Sequence, residues 1–115
     1  MPRTFKQLMF NDRTHPQDKE RQALFCIIES NNYLYNKRNH IYDFKENWIN
    51  TECLNNKNID FCTSSKALIR LGFNLYNGYK DEYILPRDIL YCLDEDNYNL
   101  AIFGADIRFG MDYEN

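Results

Sequence analysis

Residues 63–77 read TSSKALIRLGFNLYN, and Gly78 follows them. Apolar side chains recur in this stretch at three- and four-residue spacing, which is typical of one face of a helix. They are Leu68, Leu71, Leu75 and Tyr76. We expect one of the hydroxyl side chains of residues 63–65 to cap this helix at its start. Gly78 should end it in the left-handed conformation, with Tyr79 available to close a hydrophobic contact.

Three helices are predicted before this segment. The first covers residues 4–11, and the second begins near Thr14, which can cap it, with Pro16 in its first turn. The second helix should fade at residues 29–32, where Ser and Asn compete for backbone hydrogen bonds. Residues 31–44 can form a third, tyrosine-rich helix. Its inward side chains would be Leu34, Ile41 and Tyr42, and its outward ones Lys37, Arg38 and Asn39.

The remaining segments predict a long loop and two helices. Residues 45–61 are rich in Asn, and we interpret them as a loop with one helical turn around Trp48. Pro86 should start a helix that runs through Leu93, and Asp94 or Asp96 should cap the last one. Gly104 within that last helix indicates close packing against a neighbour. The sequence therefore predicts an all-α fold, a compact single domain over residues 1–115 with five or six short helices.

Composition limits where such a protein works. The chain has 115 residues, of which 43% are hydrophobic and 16% aromatic, so it can bury a core and disorder is not expected. It holds no run of about 18 apolar residues and no apolar signal core at its N-terminus. We therefore expect no membrane association and a cytoplasmic location in a bacterial host.

Charge is distributed unevenly. Residues 1–57 carry nine Lys or Arg against seven Asp or Glu, and residues 58–115 carry five against ten. After Lys80, two arginines face nine acidic residues. The molecule should therefore have a mildly basic and an acidic end, which does not favour a strongly basic nucleic-acid binder.

The sequence offers no convincing metal site. Asp94-Glu95-Asp96 resembles the opening of a calcium loop, but Asn99 and Ala105 stand where such a loop needs Gly and Glu. The cysteines form no CxxC pair, and neither histidine has metal-ligand spacing, so we expect free thiols and no metal or cofactor. The cysteines are Cys26, Cys53, Cys62 and Cys92, and the histidines His15 and His40.

Catalysis is not expected either. Spacing alone does not exclude a catalytic site of Cys26, His40 and Asp43, because catalytic groups can come from distant positions in the sequence. The chain has no nucleophile elbow, phosphate-cradling glycine loop or paired-carboxylate motif. Cys26 also lies in an apolar stripe, where a thiol is usually an inert small hydrophobe. We therefore interpret the protein as a non-enzyme.

The sequence is compatible with two kinds of binding surface, one for nucleic acid and one for protein. Residues 33–48 interleave cations with aromatic rings, a pattern typical of nucleic-acid stacking surfaces and also of a plain amphipathic helix. These residues are Tyr33, Tyr35, Lys37, Arg38, His40, Tyr42, Lys45 and Trp48. A helix-turn-helix around residues 93–97 is disfavoured, because its recognition helix would begin among three acids that repel phosphates.

Protein binding is the second possibility. Nine Tyr and one Trp are more than so small a core can bury with every polar group bonded, and exposed aromatics carry interface energy. We expect the partner-binding residues to be Tyr33, Tyr35, Lys37, Arg38, His40, Tyr42 and Trp48, together with Asp94, Glu95 and Asp96.

Several strings resemble an uncharacterised family of small proteins encoded by phages, prophages and other mobile elements of A+T-rich bacteria. They are THPQD (14–18), ERQALF (20–25), NHIYDF (39–44), SSKALIRL (64–71), NLYNG (74–78) and LDEDN (93–97). The absence of valine and the fifteen asparagines fit an A+T-rich coding sequence. The resemblance implies this origin and a compact helical fold, and it carries no assigned activity.

Together these observations predict a small protein-binding module of a phage or mobile element. Its partner would be a host protein or a ribonucleoprotein complex, and an inhibitor of a host defence complex such as a CRISPR effector is plausible. The alternative is a small nucleic-acid-binding regulator that uses the surface around residues 33–48. The sequence also leaves a homodimer open.

Overall fold

The computed structural model describes residues 3–110 and holds seven α-helices in that range. They are α1 (Lys6–Asp12), α2 (Lys19–Glu29), α3 (Asn32–Asn36), α4 (Arg38–Ile41), α5 (Thr63–Asn77), α6 (Pro86–Leu90) and α7 (Glu95–Phe109). The radius of gyration of 13.2 Å is that of one compact domain of this length. The predicted fold class, a mostly α single domain, is confirmed, with more helices than expected.

Helix α2 is the centre of the molecule. All seven residues from 22 to 28 are buried, because α2 packs against α1, α3, α5 and α7. Gly104 of α7 makes one of these close approaches, since a Cβ atom there would lie 3.1 Å from Ile27 Cδ1. The close packing predicted at Gly104 is therefore confirmed.

Helix α5 has the predicted bounds and the predicted end. Gly78 follows it with φ of 80°, and the ring of Tyr79 packs against that of Phe73 at 5.6 Å. The predicted hydroxyl cap is wrong. Cys62 occupies the N-cap position, and the helix starts without a hydrogen bond from a backbone N–H to a capping side chain.

The start of α2 also differs from the prediction. Asp18 is the N-cap, and its carboxylate accepts a hydrogen bond from the backbone N–H of Arg21 at 3.2 Å. Thr14 and Pro16 therefore lie in the turn before the helix. The carboxylate at Asp18 is also close enough to bind the Arg21 guanidinium at 2.7 Å, which Thr14 could not do.

The predicted helix over residues 31–44 is broken into α3, α4 and a strand. Asn31 caps α3 by accepting from Leu34 N, and Arg38 Nη1 donates to the Tyr35 carbonyl at the other end. This side-chain donor takes the place of the backbone N–H that a further helical turn would supply to the carbonyl, so α3 can end at this point and the chain can change direction at Lys37. Helix α4 then leads into a hairpin of two-residue strands.

This hairpin replaces the helical turn predicted around Trp48. Strand β1 (Tyr42–Asp43) pairs antiparallel with β2 (Trp48–Ile49), with Tyr42 opposite Ile49 and Asp43 opposite Trp48. The Asp43 carboxylate accepts from the backbone N–H groups of residues 45 and 46, and Asn47 has a left-handed φ of 57°. A 3₁₀ turn (Thr51–Leu54) follows the hairpin.

A buried polar network fastens the hairpin to α1 and α2. The Asp12 carboxylate is fully buried and accepts hydrogen bonds from Tyr42 Oη at 3.0 Å and Asn47 Nδ2 at 2.6 Å. The guanidinium of Arg21 lies 3.1 Å from the same carboxylate and also donates to the Asn47 carbonyl. Burial raises the pKa of the Tyr42 phenol, so it acts as a neutral donor.

Helix α7 begins as predicted. Asp94 is the N-cap and accepts from Asn97 N at 2.9 Å. Pro86 starts α6, which ends at Leu90 because residues 91 and 92 form a turn rather than the predicted continuation. Within residues 3–110, none of the helices combines the length and the apolar composition needed to cross a membrane.

We predict that Asp12→Ala lowers the free energy of unfolding by about 3 kcal/mol or more. The substitution leaves the Tyr42 hydroxyl, the Asn47 amide and part of the Arg21 charge without their buried partner. Urea unfolding followed by circular dichroism measures the change. Asp60→Ala, at an exposed position, is the matched control. A loss below about 1 kcal/mol for Asp12→Ala would show that the network contributes little to stability.

Candidate functional site

The structure does not gather the predicted residues of segment 33–48 into one exposed patch. Tyr42 is a correction: its side chain is completely buried and bonds to Asp12, so it is unavailable to a partner. Trp48 is half exposed, but one side of it packs against Tyr76 at a ring distance of 5.6 Å. His40 is exposed on α4.

Two of the three cations of this segment stack on tyrosines of the same segment. Lys37 Nζ lies 5.8 Å from the ring centre of Tyr33, and the Arg38 guanidinium lies 4.3 Å from that of Tyr35. A ring face covered by a neighbouring cation is less open to a stacking base. The segment therefore presents paired side chains rather than a row of free rings and free charges.

Tyr33 does meet the predicted acidic residues. It lines a cleft of about 340 Å³ together with Asp94 and Asp96, between the starts of α3 and α7. Arg3 lines the same cleft, and Asn31 crosses it to donate to Asn97 Oδ1 at 3.1 Å. Glu95 is exposed beside this cleft on the first turn of α7. The fold thus brings Tyr33 together with two of the three predicted acids.

Four of the ten large apolar side chains exposed within residues 3–110 lie on α7, where no binding residue except the acids was predicted. We call the exposed side chains Tyr98, Ile102, Phe103 and Phe109 the α7 surface. Tyr98, Ile102 and Phe109 recur at four- and seven-residue spacing, and exposed Asn99 and Asp106 separate them from Phe103. Ile102 is 48% exposed and Phe109 66%. The opposite face buries Leu100, Ala101 and Gly104. The helix therefore carries large apolar side chains on its exposed side as well as on its buried side, which is unusual for a helix at the surface of a domain.

Two grooves border the α7 surface. One, of about 710 Å³, lies beside Phe103 and Phe109, and Arg3 forms its cationic edge, 5.7 Å above the Phe103 ring. The other, of about 330 Å³, runs between α7 and α6. Leu85 and Tyr91, which flank α6, are strongly exposed, Tyr91 at 85%. An apolar area with concave borders and a polar rim is typical of a protein-binding site.

The sequence contained a signal for this surface. Residues 100–103 are four consecutive apolar side chains, and a helix cannot turn all four toward one neighbour. Gly104 packs against Ile27 of α2 and Ala101 is buried, so the two residues between them, Ile102 and Phe103, face outward.

The possible catalytic constellation finds no support in the geometry. Cys26 is fully buried, its sulfur lies 3.8 Å from Ser30 Oγ, and burial raises the pKa of its thiol. His40 and Asp43 are both exposed, and the Asp43 carboxylate is occupied by backbone N–H groups. Among residues 3–110, no three His, Cys, Asp or Glu side chains are arranged to hold a metal ion.

Cys62 has chemistry that sequence reasoning did not identify. Its sulfur is exposed and lies 3.3 Å from the hydroxyl oxygens of Ser64 and Ser65 at the start of α5. Hydrogen bonds from these serines lower the pKa of the Cys62 thiol to about 7. By contrast, burial raises the pKa of Cys53 to about 12. Cys62 should therefore be the most reactive of the four thiols.

We predict that iodoacetamide modifies Cys62 first, with a rate that rises with pH through about pH 7 as the thiolate forms. Mass spectrometry of the quenched reaction identifies the modified residue. In Ser64→Ala, one donor to the sulfur is lost, so the midpoint of the rate profile should move to higher pH. Equal labelling of all four cysteines, or a midpoint unmoved by Ser64→Ala, would contradict the assigned hydrogen bonds.

The fold and this surface define a small, mostly α-helical protein with an exposed apolar helix face. A model described as "Family of unknown function (DUF6075)" matches residues 2–115, and the chain belongs to that family. The expectation of an uncharacterised family is thereby confirmed. Searches of curated proteins and of solved structures found no similar protein.

Proposed function

We propose that the chain is a non-enzymatic module that binds a protein of its bacterial host through the α7 surface. The observation that carries this proposal is the exposure of Ile102, Phe103 and Phe109 on a helix whose other face is already packed on the core. Apolar side chains gain free energy when a partner removes them from water, so a group of them exposed together is typical of an interaction site.

The aromatic content of the α7 surface suits a protein partner. A standard interface covers about 800 Å² on each side, roughly a tenth of the 7537 Å² accessible surface of this chain. Three aromatic side chains, Tyr98, Phe103 and Phe109, lie within two helical turns of Ile102. Aromatic anchors in the middle of such a patch supply most of the binding energy in many complexes.

Charge narrows the chemistry of the partner. Residues 81–110 contain seven Asp or Glu and two Arg, and Asp94, Glu95 and Asp96 stand at the N-terminal end of the α7 surface. An acidic rim favours a partner whose apolar contact area is bordered by Lys and Arg. Proteins that handle nucleic acid carry such borders beside their binding channels. Asp112 and Glu114 would add to this charge, but they lie outside the described residues.

This chemistry, with the resemblance to phage and mobile-element proteins, leads to a more specific proposal. The chain would come from a phage or another mobile element, act in the host cytoplasm and inhibit a host defence complex such as a CRISPR effector. It would need neither a metal nor a cofactor. Occupation of a basic surface by Asp94, Glu95 and Asp96 would block nucleic acid there by competition.

The test of binding is affinity capture from host lysate with the wild type, with an Ile102→Asp/Phe109→Asp variant and with Phe10→Asp as control. Phe10 is 79% exposed but lies on α1, away from the α7 surface. Loss of hot-spot side chains should weaken binding about 30-fold or more, whereas the control should bind like the wild type. An equal yield with the double variant, or no stoichiometric partner for the wild type, would contradict the proposal.

The defence role has its own test. Cells that carry an active CRISPR system should lose plasmid interference when they express the wild type, and should keep it when they express the Ile102→Asp/Phe109→Asp variant. Interference that persists with the wild type, although a partner is captured, would limit the proposal to protein binding.

A nucleic-acid regulator is the second candidate, favoured by the exposure of Trp48 in the segment that also carries Lys37 and Arg38. If it is correct, binding to DNA or RNA should weaken steeply with salt, since neutralised phosphates release counterions. Lys37→Glu/Arg38→Glu should then reduce affinity, with Lys57→Glu/Lys80→Glu as the control at exposed positions. Unchanged binding in the first variant would remove this candidate.

A further inference from the structure

Another concave site lies between α1 and the turn that precedes α2. It shares no lining residue with the α7 surface or with the two grooves that border that surface. This α1 groove has a volume of about 630 Å³, within the range of small-molecule pockets. Phe5, Met9 and Pro16 supply its apolar lining, and Phe10 stands at its edge with 79% of its surface exposed.

The charged side chains that line the α1 groove are both cationic. They are Lys6 on α1 and Arg13 at the end of that helix, and neither takes part in an ion pair within residues 3–110. The nearest carboxylates along the chain are bound elsewhere: Asp12 is buried under Arg21 and Tyr42, and Asp18 binds Arg21. The groove therefore combines an apolar lining with an uncompensated positive edge.

Thr14 provides an independent observation. The sequence predicted that its hydroxyl would cap α2, but Asp18 performs that role. The side chain of Thr14 lines the α1 groove instead, and its hydroxyl oxygen is buried with no hydrogen-bond partner in the described residues. Buried hydroxyl groups are nearly always bonded, so an orphaned one beside a cavity indicates a missing polar partner.

We propose that the α1 groove binds an amphipathic carboxylate, a small molecule with an apolar chain and one anionic head. The chain would pack on Phe5, Met9 and Pro16. The head would lie between Lys6 and Arg13, which gain the counter-charge that they lack, and a rotation of Thr14 would give its hydroxyl a bond to the carboxylate. This site is independent of the proposed function, because the two surfaces consist of different residues.

The test compares three ligands with the same ten-carbon chain: decanoate and decylammonium below their micelle concentrations, and decanol below its solubility limit. Titrations followed by amide chemical shifts should place decanoate at residues 5–17, with an affinity about tenfold or more above that of decanol. Decylammonium should bind more weakly than decanol because Lys6 and Arg13 repel it. Absence of decanoate binding, or equal affinities for decanoate and decylammonium, would overturn the proposal.

Variants separate the head from the chain. Lys6→Gln/Arg13→Asn should reduce decanoate affinity about tenfold or more and leave decanol affinity unchanged; Asn suits the left-handed φ of 59° at position 13. Lys57→Gln/Arg87→Gln, at exposed positions elsewhere, is the control. Thr14→Val should weaken decanoate binding without loss of thermal stability, because it removes an unbonded hydroxyl. Decanoate affinity unaffected by the Lys6→Gln/Arg13→Asn change would show that the groove does not recognise the carboxylate.

Discussion

The buried carboxylate of Asp12 is the contact on which the arrangement of the first half of the molecule depends. It stands at the end of α1 and is bound by Arg21 of α2, Tyr42 of β1 and Asn47 of the hairpin turn. A buried charge without these partners would be strongly unfavourable, so the three elements can approach one another only in this relative position. Loss of one partner should therefore destabilise the fold and also free the relative positions of α1, α2 and the hairpin.

A second constraint is steric, and it positions α5 and α7 on α2. Helix α2 is buried on every side, and glycines let its neighbours come close: a Cβ atom on Gly72 of α5 would lie 2.9 Å from Leu24 Cδ1, and Gly104 of α7 is nearly as tight. With Gly104 packed on α2 and Ala101 buried, Ile102 and Phe103 between them face water. The exposed α7 surface is therefore a direct result of how α7 packs on the core.

The sequence predicted those parts of the fold that depend on local patterns. Helix α5 is long and strongly periodic, and it ends at a glycine, so its bounds could be read directly. The cap at Asp94 and the tight packing at Gly104 are also local signals. The hairpin could not be predicted in this way, because strands of two residues show no periodicity and its turn is held by Asp12, 35 residues earlier in the chain.

For the candidate site, the sequence indicated which residue types could bind a partner, but it did not show which of them the fold buries. It expected Tyr42 both to face the core and to bind a partner, and only the contact with Asp12 shows that the first role excludes the second. It named the acids at the start of α7 but not the apolar side chains that follow them. Which face of an evenly apolar helix is covered depends on its neighbours, and those neighbours are distant in sequence.

The central position of α2 also has a consequence for biosynthesis. The residues that cover it in the finished protein belong to α5 and α7, which leave the ribosome some 40 and 70 residues later. Until α5 and α7 have been synthesised, the nascent chain exposes a continuous apolar segment of α2 that neither α1 nor the hairpin can cover completely. A translational stall before α7 would leave this apolar segment in water, where it favours aggregation.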